Sequence, residues 1–254
     1  MQQLSVVIVC KNEADIIDKT LQSLQGLTDD IVVYDNGSTD GTLEKLKAYN
    51  LNVHQGCWEG FGKTKRKAIA LAKYDWILAI DADEVLSEKL KNNLLSLLLT
   101  DENTIYEAGY DLYFKNKLIR FGEWAGETFT PLFNRKVVNW DDAIVHEKLL
   151  IPQGVKTKKL SGKILHYSIR DIEKYIHKRT YYARLCADKY FLQGRRAGFF
   201  HRYFAAAFVF IKYYFFKLGF LDGWEGFFCA KVTSYYTFIK YARLLELKKC
   251  PAGK

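Results

Sequence analysis

The chain has no CxxC pair and no even cysteine framework: its five cysteines, Cys10, Cys57, Cys186, Cys229 and Cys250, stand apart and are odd in number. That excludes a cysteine zinc site and a disulfide scaffold, and a reduced compartment is expected. The N-terminus shows no basic, apolar and small-residue succession of a secretory signal, because residues 4–10 open directly on an apolar strand pattern; a cytoplasmic protein is expected. No apolar run reaches the roughly 20 residues that a bilayer span requires. The longest in the tail, Tyr203 to Phe216, covers 14 residues and already contains Lys212. Internal repeats and low-complexity linkers are missing, and a hydrophobic content of 49% excludes intrinsic disorder.

What is present is unevenly charged. The net charge of +9 divides into 17 Lys/Arg against 23 Asp/Glu over residues 1–155 and 21 against 6 over 156–254. A basic tail of this kind fits an anionic partner, nucleic acid or lipid, and leaves the acidic half another task. At 254 residues, one α/β domain over 1–165 with a basic, aromatic helical extension over 166–254 accounts for the length.

The apolar, β-branched run Leu4–Cys10 reads as a strand buried on both faces. Ile16, Ile17, Thr20, Leu21 and Leu24 then recur at helical spacing until Gly26. Residues 31–34 form a second strand, 42–49 a helix, 51–54 a short strand, 63–73 a helix and 76–80 a strand. Such alternation predicts a mainly parallel, Rossmann-like sheet with its ligand site at the carboxyl ends of the strands. After a helix at 87–99 come strands near 105–114, 117–122, 131–138 and 144–150, an antiparallel or mixed edge; helical periodicity resumes at 171.

Three features could carry chemistry. Asp81-Ala82-Asp83 ends a buried strand, and two carboxylates at i, i+2 there can meet one hard divalent cation and a diphosphate; the plain alternative is an acidic cluster at the start of a helix. The loop Asp35-Asn36-Gly37-Ser38-Thr39-Asp40-Gly41 offers Asx and hydroxyl groups to a nucleotide or to its own turn. Asn12 and Glu13 follow the first strand, where they either bind a ligand or cap a helix.

Taken in order, residues 6–13, 32–42, Gly60-Phe61-Gly62-Lys63 through Arg66, and Ile80-Asp81-Ala82-Asp83-Glu84 resemble glycosyltransferase family 2. His146-Glu147 after Trp140-Asp141-Asp142, and Gly219-Phe220-Leu221-Asp222-Gly223 in the tail, resemble within it the lipopolysaccharide core β-glucosyltransferases of the WaaE/KdtX type. The resemblance implies a GT-A fold and an inverting transfer from a UDP-sugar with Mg²⁺ or Mn²⁺. Asp35 would pair with uracil and Glu13 would lie near the nucleoside, with Cys10, Asn12, Gly37, Ser38, Asp81 and Ala82 completing the nucleotide-sugar site. Lys63 and Arg66 would close that pocket or, with Lys65 and Lys67, form a solvated helix face. Asp83 and His146 are the candidates for the metal. Pro131-Leu132-Phe133 replaces an Arg-Leu-Phe segment of the relatives, with Arg135 as a substitute cation.

An inverting displacement needs a carboxylate to take the acceptor proton. Glu147, following an apolar Ala143-Ile144-Val145 strand start, is the first candidate and Asp142 the second; Asp141 and Glu127 are also considered. Trp124 and Trp140 are either a sugar-stacking platform or core. Phe204, Phe208, Ile211, Phe215 and Leu218 lie on one helical stripe beside Arg195, Arg196, Arg202, Lys212 and Lys217, a pattern for an interfacial helix on the anionic, cytoplasmic face of the inner membrane. A lipid-linked or lipopolysaccharide acceptor would make that contact useful. A nucleic-acid-binding module accounts for the tail alone and leaves the strand-end acids without a task, so no nucleic acid is expected. A nucleotidyltransferase would need a glycine-rich phosphate loop where Lys11-Asn12-Glu13 stands.

Overall fold

The structure, a computed structural model, describes residues 2–145 and 147–249. His146 and Cys250, both named above, lie outside the described residues. Two compact units are found, residues 1–111 with 127–167, and residues 112–126 with 168–254.

The chain runs through β1 (Ser5–Cys10), α1 (Ile17–Leu24), β2 (Asp30–Asp35), α2 (Thr42–Lys47), β3 (Asn52–Gln55), α3 (Phe61–Ala70), β4 (Trp76–Asp81), β5 (Glu84–Leu86), α4 (Glu88–Ser96), β6 (Thr104–Phe114), β7 (Lys117–Ile119), β8 (Thr128–Asn134), β9 (Asn139–Trp140), β10 (Leu149–Leu150) and β11 (Lys156–Ile169), all in the first unit except β7 and the ends of β6 and β11 at residues 112–114 and 168–169. Neighbouring strands follow β3-β2-β1-β4-β8-β6-β11-β5, with β7 on the far end of β6. The first four are parallel and β8 runs antiparallel to β4. A parallel block with an antiparallel remainder is the mixed α/β sheet that the alternating pattern predicts, and it agrees with the GT-A fold that the resemblance implies. β1 is central, and Val6 and Ile8 have no exposed surface, which is why its sequence is continuously apolar. The sheet is covered by Ile17, Leu21 and Leu24 of α1 on one side and by Ala68 and Ile69 of α3 on the other.

Among the antiparallel strands the structure differs from the sequence expectation. The strand expected over 144–150 is reduced to Leu149–Leu150; residues 141–145 and 147–148 belong to no strand or helix. The 14-residue strand β11 was not anticipated.

In the second unit α5 (Ile172–Leu192) packs along α8 (Trp224–Lys249), with α6 (Phe199–Tyr203) and α7 (Ala205–Ile211) between them in sequence. Ala183, Cys186 and Ala187 are buried where α5 faces α8, small side chains that let the helices approach. The single interfacial helix expected of the tail is instead α6, α7, a π-helical turn at Lys212–Phe216 and a 3₁₀ turn at Gly219–Asp222. Breaks come at Leu218, whose φ is +57°, and at Gly219, where a Cβ would stand 2.6 Å from Tyr213 O. Asp222 is buried, and its Oδ2 accepts the N–H groups of Arg120 and Phe121 at 2.9 and 2.8 Å. The tail motif therefore organises its own unit. Among the described residues no helix is long and apolar enough to cross a membrane.

Candidate active site

The parallel register sets Cys10 beside Asp35 on one flank of β1 and Val9 beside Asp81 on the other. With strands about 4.8 Å apart, Asp35 and Asp81 end their strands about 10 Å from each other. The two connecting loops are tied together at this edge. Asn12, at φ +57°, accepts the Thr39 N–H at 2.8 Å and donates its own N–H to Ser38 Oγ at 2.8 Å. Glu13 N–H reaches Thr42 Oγ1 at 2.9 Å. Asp35 is fully buried; its Oδ1 accepts Gly37 and Ser38 N–H, both at 2.9 Å, and its Oδ2 takes the Ser38 hydroxyl and, at 3.5 Å, the Cys10 thiol. Asp35 thus shapes its own loop, and with no exposed surface it does not present the carboxylate to a uracil as the resemblance implies. Burial, and then Asp35, pushes the Cys10 thiol well above its ordinary range, so it acts as a small packed group and no nucleophile.

At the end of β4 the acidic cluster is divided. Asp81 is half-exposed, whereas the Asp83 side chain is buried with its Oδ2 3.3 Å from His166 Nε2. Ala82 is buried and its carbonyl accepts the Thr20 hydroxyl at 2.7 Å. Beneath them Glu84 accepts the Asp81 N–H at 2.9 Å and the Tyr110 O–H at 2.6 Å. Burial, and next the nearby Asp81, push the Glu84 carboxyl up to about 7. Glu84 and His166 are members of this cluster that the sequence reading assigned no chemistry. Both stand on strands that meet, His166 opposite Glu84 in the β11–β5 pair.

Lys65 was missed as well, having been read only as solvated helix face. It is buried on the inner side of α3, its Nζ 2.8 Å from Glu147 Oε1, 3.4 Å from Asp81 Oδ1 and 4.6 Å from the Trp140 ring centroid. Burial alone would pull this ammonium down; Asp81 and Glu147 more than reverse that and hold it above its ordinary range. Lys63 and Arg66, expected at the nucleotide, are exposed on the other side of the same helix, where Arg66 pairs with Asp142 at 2.8 Å. With Glu59 and Lys67 they line a shallow groove of about 430 Å³. Asp142 is thus paired at the surface with Arg66, whereas Glu147 pairs with the buried Lys65. Arg135 donates to Asp75 and to the carbonyls of Ile69 and Ala72. It closes the C-terminal end of α3, far from the strand tips, and the substitute role expected of it is not realised. Trp140 is 4% exposed among Phe129 and Phe133 and is core; Trp124 packs in the core of the second unit.

Glu147 is delivered by the loop 141–148. Phe61 and Gly62 N–H donate to the carbonyls of Ile144 and Ala143, each at 3.0 Å, and Asp141 Oδ1 accepts the N–H groups of Ala143 and Lys148. Only glycine permits this approach: a Cβ on Gly62 would fall 1.8 Å from Asp141 O, and one on Gly60, at φ +98°, 2.8 Å from Ile144 Cα.

An α/β sheet that gathers carboxylates and the turn-rich Asp35–Gly41 loop at the carboxyl ends of β1, β2 and β4 has its chemistry where α/β enzymes place it. The chain belongs to glycosyltransferase family 2: the profile described as "Glycosyl transferase family 2" matches residues 5–153, and the protein is a glycosyltransferase. It is similar to an uncharacterized glycosyltransferase of Rickettsia prowazekii, 28% identical over 97% of this chain and 88% of that one. It is also similar to the lipopolysaccharide core biosynthesis glycosyltransferase LpsC of Rhizobium meliloti, 27% identical over 96% of this chain and 92% of that one. Among solved structures, residues 1–349 of Staphylococcus aureus TarS align over 98% of this chain and 91% of that one, at 14% identity and a TM-score of 0.45.

Proposed function

We propose that the chain transfers a hexose, with glucose from UDP-glucose as the first candidate, onto a lipopolysaccharide-core or other membrane-linked glycan, inverting the anomeric centre. The observation that carries this reading is the register that ends β1, β2 and β4 at one sheet edge, with Asp35 beside Cys10 and Asp81 beside Val9, and Lys65 joining Glu147 to Asp81 there. Similarity to LpsC supports the acceptor class.

Among the described residues no three His, Cys, Asp or Glu side chains form a metal cage. A magnesium-type ion does not need one, since it is commonly held by one or two carboxylates with substrate phosphates. The half-exposed Asp81 fits that requirement, and Asp83 two residues on is the second donor. Bound there, Mg²⁺ or Mn²⁺ would supply neutralisation of the charge on the departing diphosphate. The chain's own residues do the rest. The Asn12–Thr39 and Asp35–Ser38 bonds hold a preformed loop for the nucleotide. Glu147, rather than Asp142 beside Arg66, takes the acceptor proton, because it alone of the two faces Asp81 through Lys65.

The second unit rests on a membrane in this reading. Phe199, Tyr203, Phe216 and Trp224 are 71%, 65%, 74% and 62% exposed, and five Lys/Arg lie within residues 195–217, a combination suited to an anionic leaflet.

The test is a thermal-shift series with UDP-glucose, UDP-galactose and UDP-N-acetylglucosamine, with and without Mn²⁺. A donor at 100 times its Kd stabilises the folded state by about 2.7 kcal/mol. Asp83→Ala should lose the Mn²⁺-dependent part of that rise and the release of UDP. Unchanged UDP release in this variant, or in excess EDTA, defeats the metal assignment.

A further inference from the structure

We propose that Lys65 is a positioning residue that acts through Glu147, holding the acceptor-side carboxylate at the strand tips. This deepens the glycosyl-transfer reading above and rests on it.

Three observations converge. Glu147 sits on a loop with no strand of its own, so its backbone alone does not aim the side chain. The Glu147 side chain is nevertheless only 14% exposed, with the Lys65 ammonium 2.8 Å away. Lys65 in turn comes from a helix, a rigid element, and its own side chain is 11% exposed beneath the Trp140 ring. A lysine there cannot swing out to water without leaving two carboxylates facing each other, since Asp81 lies on its other side at 3.4 Å. The backbone of the loop is anchored separately, by the Phe61 and Gly62 N–H bonds to Ile144 and Ala143. Loss of the ammonium would thus misdirect the carboxylate without releasing the loop.

A tether that served only the fold would show itself in stability and in donor affinity together. A positioning residue shows a different pattern, readable in a double-mutant cycle of wild type, Lys65→Met, Glu147→Gln and Lys65→Met/Glu147→Gln. UDP release from UDP-glucose is measured with lipopolysaccharide truncated to its inner core as acceptor, and with water alone. Donor affinity is followed by thermal shift. Glu147→Gln should lower kcat by about 100-fold or more, and Lys65→Met by about 10- to 100-fold, with donor affinity held within about threefold. In the double variant the second change should add less than about twofold to the first. That variant also removes one negative and one positive charge together, leaving the net charge of the group unchanged where Lys65→Met alone adds one negative charge; if Lys65→Met is too unstable to assay, a further loss of more than about twofold from Glu147→Gln to the double variant overturns the proposal.

Multiplicative losses in kcat would overturn the proposal, as would Lys65→Met with wild-type kcat and weakened donor binding, which makes Lys65 a donor-binding residue. Wild-type protein that releases no UDP from any nucleotide sugar overturns the functional reading itself and the proposal with it. Wild-type turnover with an additive cycle removes the proposal alone.

Discussion

Replacing Gly62 by alanine sets two effects of similar size against each other. Gly62 lies inside α3 with ordinary helical φ, so intrinsic propensity favours alanine by about 1 kcal/mol. The added Cβ would meet Asp141 O at 1.8 Å and Ala143 N at 3.0 Å. Carbon and oxygen cannot approach closer than roughly 3.2 Å without repulsion, so the 141–148 loop must retreat by more than about 1 Å. Retreat breaks the Phe61–Ile144 and Gly62–Ala143 hydrogen bonds, worth about 1 kcal/mol each. The net loss of stability is therefore small, about 1 kcal/mol. Activity should respond out of proportion, because a displacement of about 1 Å in a group that must be in line can cost about 100-fold in rate, and Glu147 travels with the loop. The assay pairs urea unfolding with UDP release. A Gly62→Ala protein that is about 1 kcal/mol more stable than wild type, or that turns over normally, would show that the loop is not seated on α3 and would refute the reasoning.

Glu84 predicts a pH dependence of stability. Its carboxyl is raised from 4.5 to about 7 by burial and by Asp81, so between those values the folded chain keeps a proton that the unfolded chain has lost. Stability should fall as pH rises through that window, by about 3 kcal/mol, and Glu84→Gln measured in EDTA by urea unfolding should lack that component; parallel pH profiles for the two proteins would sink the assignment. For the tail, Phe199→Ser/Phe216→Ser should weaken co-sedimentation with phosphatidylglycerol-containing vesicles by about tenfold or more, and added salt should weaken it further. Equal binding by the variant, or binding indifferent to lipid charge, would remove the membrane surface.

The parallel half of the sheet was legible because burial on both faces leaves a continuous apolar run, as in Val6-Val7-Ile8-Val9, bounded by turn residues that are themselves diagnostic. The failures have the opposite cause. β11 begins with Lys156, Thr157, Lys158 and Lys159, all exposed, and first buries a side chain at Leu160; a solvated strand end has no periodic signature to find. Ala143-Ile144-Val145 looked like a strand because it is apolar, yet Ile144 is 49% exposed and Val145 alone of the three is buried. Its backbone groups bond the start of α3 instead of a neighbouring strand. In the tail the helical stripe was real as a pattern: Phe204, Phe208, Ile211, Phe215 and Leu218 are all 43–52% exposed. Periodicity, however, could not announce that the chain would break at Leu218 and Gly219.

The site itself divides along α3 for a reason that was available in the sequence. A helix that covers a sheet buries residues at i, i+3, i+4 and i+7, and Gly62, Lys65, Ala68 and Ile69 occupy that inner face while Lys63, Arg66, Lys67 and Ala70 look outward. A lysine inside an apolar stripe is costly unless carboxylates await it, and here Asp81 at the end of β4 and Glu147 on the loop seated against α3 lie 3.4 and 2.8 Å from its Nζ. The cations placed at the nucleotide by resemblance alone, Lys63 and Arg66, carry no such constraint; Arg66 finds Asp142 at the surface, where an exposed pair contributes little. The burial that makes Lys65 expensive also fixes where Glu147 and Asp81 can be, so the helix stripe, the glycines of Gly60-Phe61-Gly62 and the acids at the strand tips are consequences of one packing arrangement rather than separate motifs.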